Sequence, residues 1–146
     1  MTPRIQIPSV QQIVDLHDRI VSEVGGARGI RSTDAIAGAW GRAEARIFYG
    51  EVDVWGAAAT LAVSVAKAHG FADGNKRAAY GAMALTLALN GRSFELTPVA
   101  AVDLIVAAAT GDGAPEALAD ALRAAGTVDP VYPALFRFDL GQDLQP

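Results

Sequence analysis

The sequence predicts a single all-α domain, a bundle of about six helices with room for one short extended hairpin. Three observations lead there. Apolar residues recur every three or four positions through most of the chain, each such run is bounded by residues that start or stop helices, and two Ala-rich stretches, 54–66 and 78–89, carry no charge. At 146 residues, with 51% hydrophobic and 19% charged side chains, the chain can build one sizeable core and is too short for two domains of ordinary size. Both uncharged stretches fall well short of the ~20 residues that a membrane-spanning helix requires, so they read as core helices.

The first helix is expected from about Ser9 to Val24, because Ile13, Leu16, Ile20 and Val24 lie on one stripe and Gly25-Gly26 ends it. Ser32 can cap a second, with Ala35, Ile36, Ala39 and Trp40 following to about Arg46. Phe48, Tyr49 and Gly50 close that unit. Asp53 can cap a third, whose small-residue body around Ala58, Leu61, Ala62 and Val65 allows close packing on several sides until His69-Gly70. A fourth begins around Gly74 and runs to Leu89, stopped by Asn90-Gly91. Arg92 to Leu96 reads as a brief extended piece. Thr97-Pro98 supplies a cap and a first-turn proline for a fifth helix to about Thr110, and Pro115-Glu116 opens a sixth through Leu118 and Leu122 to Gly126. Residues 1–126 therefore form the domain and 127–146 a C-terminal tail, in which Phe136 and Phe138 alternate with polar residues and no element is assigned.

Composition removes several functions. With no cysteine there is no disulfide, thiolate metal site or cysteine nucleophile. A net charge of −4 leaves no basic field for broad binding to nucleic acid or to an anionic membrane, and no helix is basic enough to read DNA. Only two histidines occur, far apart and without a metalloprotease pattern. The first residues lack the apolar core of a signal peptide, so a cytoplasmic location is expected.

One stretch stands apart from this core-building material: His69-Gly70-Phe71-Ala72-Asp73-Gly74-Asn75-Lys76-Arg77. It falls on a loop between two apolar helices and on the first turn of the second, where backbone N–H groups lack intrahelical partners and the helix dipole favours an anion. Gly74 lets a phosphate approach the backbone at Gly74, Asn75 and Lys76. Lys76 and Arg77 place two cations at a helix start, against the dipole, an arrangement that calls for an anion such as a polyphosphate. Asp73 can hold a Mg²⁺ that bridges phosphate oxygens, or simply cap the helix. His69 is the best general base in the sequence, and Phe71 an apolar anchor for the loop. His17, inside the first helix, reads as structural, and Arg42 and Arg46 as a solvated face.

This stretch resembles the signature of the Fic/Doc superfamily, His-x-Phe-x-(Asp/Glu)-(Ala/Gly)-Asn-(Gly/Lys)-Arg. Lys76, where adenylylating Fic enzymes usually carry glycine, is the form typical of death-on-curing (Doc) toxins. Leu16-His17-Asp18, Gly25-Gly26, Glu44-Ala45-Arg46 with Tyr49, and Ala108-Ala109-Thr110-Gly111 are also similar to Doc toxins in the same order, so the likeness spans about residues 5–125.

The resemblance implies an all-α Fic fold and a toxin that uses Mg²⁺ and ATP to phosphorylate a hydroxyl of elongation factor Tu, arresting translation. It implies His69 as catalytic base, Phe71 as loop anchor, Asp73 as the Mg²⁺ ligand, Gly74 with Asn75 as the anion hole, and Lys76 with Arg77 on the nucleotide phosphates. It also implies an antitoxin whose C-terminal segment occupies the active-site groove. The self-inhibitory pattern of some Fic proteins, Ser or Thr followed four residues later by Glu, is not found, which supports neutralisation by a separate protein. Gly70, where many relatives carry proline or a branched residue, implies a less rigid loop. The alternatives are adenylyl transfer, with the α-phosphate attacked, and a catalytically silent partner-binding module.

Overall fold

A computed structural model describes residues 4–50, 52–112 and 114–128. Its helices, in chain order, are α1 (Val10–Val24), α2 (Thr33–Tyr49), α3 (Val54–Ala68), α4 (Asn75–Leu89), α5 (Pro98–Thr110) and α6 (Glu116–Ala125), with two short strands, β1 (Arg92–Phe94) and β2 (Gly126–Val128). The all-α expectation holds. Most of the predicted tail lies outside the described residues.

Three helices begin on the caps expected of them, Ser32, Asp53 and Thr97, and α1 follows Ser9, whose capping role the structure adds. Ser9 and Gln12 form a reciprocal capping box on α1, each side chain accepting from the other's backbone N–H at 3.1 and 2.8 Å. Ser32, Asp53 and Thr97 accept from the N–H groups of Ala35, Gly56 and Ala100 at 3.0, 2.8 and 3.1 Å. Helix α2 runs to Tyr49, past the expected Arg46, because Ile47 is a further buried anchor and the Gly50 N–H still finds the Arg46 carbonyl at 2.9 Å. Helices α4 and α6 lack a side-chain cap, with Gly74 and Pro115 at their N-cap positions.

Helix α3 is the hub. It packs against α2, α4, α5 and α6, while α1 covers the outer side of α4. Small residues make this possible: Ala57, Ala58, Ala59 and Ala62 on α3 and Ala78, Ala79, Ala82 and Ala88 on α4 are all buried. Leu61, Met83, Leu87, Ile13, Ile20 and Ile105 fill the remaining space. The two uncharged stretches are thus the centre of the core, which is why they carry no charge.

The brief extended piece, at Arg92–Phe94, pairs antiparallel with Gly126–Val128 across the α5–α6 segment, Phe94 opposite Gly126. A Cβ at position 126 would lie 2.1 Å from the Trp55 ring, so this crossing of strand and indole requires glycine. The ribbon ties the end of α6 back to the end of α4.

Candidate active site

The nine-residue stretch joins the C-terminus of α3 to the N-terminus of α4, and a left-handed residue stands at each end. His69, the C-cap of α3, has φ 48° and ψ 40°, the one positive φ at a non-glycine position among the described residues. Gly74, the N-cap of α4, has φ 76°. These two turns lift the intervening loop off the ends of both helices and leave the His69 side chain exposed.

The loop is held from three directions. The Gly70 carbonyl accepts from the N–H groups of Arg31 and Ser32 at 2.7 and 2.9 Å, and the Ala72 N–H donates to Gly29 at 3.1 Å. These bonds oppose the slackness expected of Gly70, whose absent side chain leaves room for Ile36: a Cβ there would be 2.2 Å from Ile36 Cγ1. Phe71 is buried, as its anchor role requires, and stacks on the ring of His17 at 3.8 Å with the planes 14° apart. The Asn75 side chain clamps the same residue, its Oδ1 accepting from the Phe71 N–H at 3.0 Å and its Nδ2 donating to the Phe71 carbonyl at 3.1 Å. Asn75 can therefore meet an anion only through its backbone.

Asp73 does not cap α4. Its Oδ1 accepts from the adjacent Gly74 N–H at 2.8 Å and its Oδ2 from the Ala27 N–H at 3.3 Å, which fastens the turn to the α1–α2 connection. The Gly74 and then the Ala27 N–H hold the carboxyl below its ordinary value, with the Arg77 guanidinium adding to them. The Gly74 N–H, expected to face phosphate, is thus already engaged. The N–H groups of Asn75, Lys76 and Arg77 donate to no described residue, and they form the open positive end of α4.

The predicted residues divide into two groups around that helix start. His69 and Lys76 line one groove of about 290 Å³ with Ala66, Lys67, Val106, Ala109 and Thr110. Lys76 is exposed and makes no hydrogen bond or ion pair with a described residue. Asp73 and Arg77 face the other way, toward the α1–α2 connection, where Arg77 Nη1 approaches the Gly25 carbonyl at 3.5 Å. Among the described residues no three His, Asp or Glu side chains converge as a metal cage. One ionised carboxylate beside open backbone N–H donors fits Mg²⁺, which is commonly held by one or two carboxylates with substrate phosphates and water.

Arg42 is exposed and Arg46 pairs with Glu116 of α6 at 3.2 Å. Sequence reasoning missed the link between His17 and the site. A signal was present: His17 interrupts the apolar stripe of Ile13 and Ile20, and it is fully buried.

Fold and loop together define a small helical domain whose central helix pair presents an exposed histidine beside a cation-flanked, anion-receptive helix start. A family model described as Fic/DOC family matches residues 7–87. The chain belongs to the Fic/Doc family. One curated relative, "Protein kinase doc" of Escherichia phage P1, is 37% identical over 116 residues, covering 79% of this chain and 91% of that protein.

Proposed function

We propose that this chain is a Doc-type toxin that transfers the γ-phosphoryl group of ATP to a serine or threonine hydroxyl of a translation factor, elongation factor Tu, and so arrests translation. The observation that carries this reading is the shared groove of His69 and the unpaired Lys76 beside the open N–H groups of Asn75, Lys76 and Arg77. The relative named as a protein kinase supports the kinase form of the chemistry.

In the reaction, the His69 imidazole takes the proton of the target hydroxyl as its oxygen bonds to the γ-phosphorus, and the bond to the bridging oxygen breaks to release ADP. Lys76, Arg77 and the backbone N–H groups hold the phosphate oxygens and stabilise charge in a setting already organised by the fold. Asn75 and Phe71 keep the loop fixed while this happens. Asp73 would hold Mg²⁺ accompanying the nucleotide, which supplies further neutralisation of phosphate charge.

The same groove, with Val106 and Ala109 on its wall, is the surface assigned to the C-terminal segment of an antitoxin, with residues 1–126 as the toxin domain and 127–146 as its tail. The protein acts in the cytoplasm. Incubation with a lysate, Mg²⁺ and ATP labelled at either the γ- or the α-phosphate tests the proposal. A protein labelled only from the γ-position, and not labelled by His69→Ala, is the expected result. Label from the α-position makes it an adenylyltransferase, and no label, with nucleotide binding intact, a silent module.

A further inference from the structure

We propose that His17 is a positioning residue that orients the phosphate-binding turn, although it lies on α1, far from that turn in sequence. This rests on the functional reading above for its kinetic consequence, while its structural part stands alone.

The ring is fully buried, yet only half of its polarity is used. Nε2 donates to the Asp73 carbonyl at 2.5 Å, so Nε2 carries a proton. Nδ1 is buried and has no hydrogen-bond partner among the described residues, and the Asp18 Oδ1 is 3.8 Å away, beyond bonding range. An apolar ring would fill the same space against Phe71 without the cost of an unmet nitrogen. What the imidazole adds is the Nε2 donor.

That donor grips one particular peptide. The Asp73–Gly74 unit is planar and trans, so fixing its carbonyl toward α1 points the Gly74 N–H the opposite way. There the Asp73 carboxylate receives it at 2.8 Å. His17 therefore sets both the plane of the turn and, through it, the direction in which Asp73 is presented. Gly74 takes part by lacking a side chain: a Cβ there would stand 3.3 Å from Nε2, and its φ of 76° is one that side chains rarely adopt. Without the donor, the Asp73 carbonyl loses its partner, and a peptide preceding glycine can flip.

The test compares His17→Phe, which keeps the stacked ring but no donor, with His17→Gln, whose amide nitrogen can reach the position of Nε2. In the full chain, His17→Phe is expected to raise amide hydrogen exchange at Gly74 and Ala27 about tenfold, with exchange in the α3–α4 core unchanged, and His17→Gln to restore most of the protection. In the transfer assay, His17→Phe is expected to raise KM for ATP about tenfold with a smaller change in kcat, again recovered by His17→Gln. Should His17→Phe not fold, His17→Asn, too short to reach Asp73, replaces it in the comparison. Equal exchange and equal KM in the donor and donor-free variants would overturn the proposal. If the wild-type chain transfers no phosphate, the exchange comparison still decides the role of His17, so the two readings fail separately.

Discussion

At the scale of single residues, charge and space at the loop make separate predictions. The folded protein holds the Asp73 carboxyl below its ordinary value, so its bonds to Gly74 and Ala27 stabilise the fold at pH above that ordinary value. That contribution is lost as pH falls through the lower, folded value. Thermal melts between about pH 5 and pH 2 should therefore decline less steeply for Asp73→Asn than for the wild type. Gly70 is a matter of volume. Gly70→Ala drives a methyl group into Ile36 and should cost about 1–3 kcal/mol in denaturant melts. Removing Ile36 Cγ1 at the same time opens that space, so a cycle with Ile36→Ala should return a favourable coupling of about 1 kcal/mol or more. Additive losses would mean that the clash relaxes in another direction. At this scale the sequence displayed the acidic, cationic and histidine groups openly, since they stand out from an apolar background. It hid how they are used, because the partners of Asp73 and Phe71 come from Ala27 and His17, brought in by tertiary folding.

Elements were the most legible part, and the reason is local chemistry. Ser9, Ser32, Asp53 and Thr97 each satisfy a backbone N–H three residues on, a relation that spacing alone contains. Asp53 does more than its spacing reveals, for Arg123 reaches both of its oxygens at 2.9 and 3.0 Å and thereby ties α6 to the start of α3. Asp53→Ala removes cap and tie together and should lower stability by about 1–2 kcal/mol, while Asp53→Asn should keep most of the cap. Calorimetric melts distinguish the two. The end of α2 was less legible, because Ile47 extends the helix only by being buried against other elements. Likewise the partner of Arg92–Phe94 could not be read from the sequence: it lies beyond two intervening helices, and what selects Gly126 is the nearness of the Trp55 ring.

Over the whole molecule, the ribbon closes the chain on itself. The Glu95 N–H donates to the Ala125 carbonyl at 2.9 Å, and Ser93 and Thr127 join through their hydroxyls. A protein ending at residue 125 should melt at a lower temperature than one ending at 128, since the former leaves β1 unpaired; equal melting points would show that the ribbon contributes nothing. The charge balance was informative here by exclusion. With a net charge of −4 there is no general field for polyanions, and the positive potential for a phosphate has to come from one helix end and its two cations.

Alanines crowd the buried faces of both α3 and α4, with Leu61 and Met83 between them as the larger core residues. The helix that ends in His69 and the helix that begins beyond Gly74 are therefore jaws set by the thinnest side chains available. A longer residue at one of those alanines would act as a shim, spreading His69 from the open start of α4 without touching either.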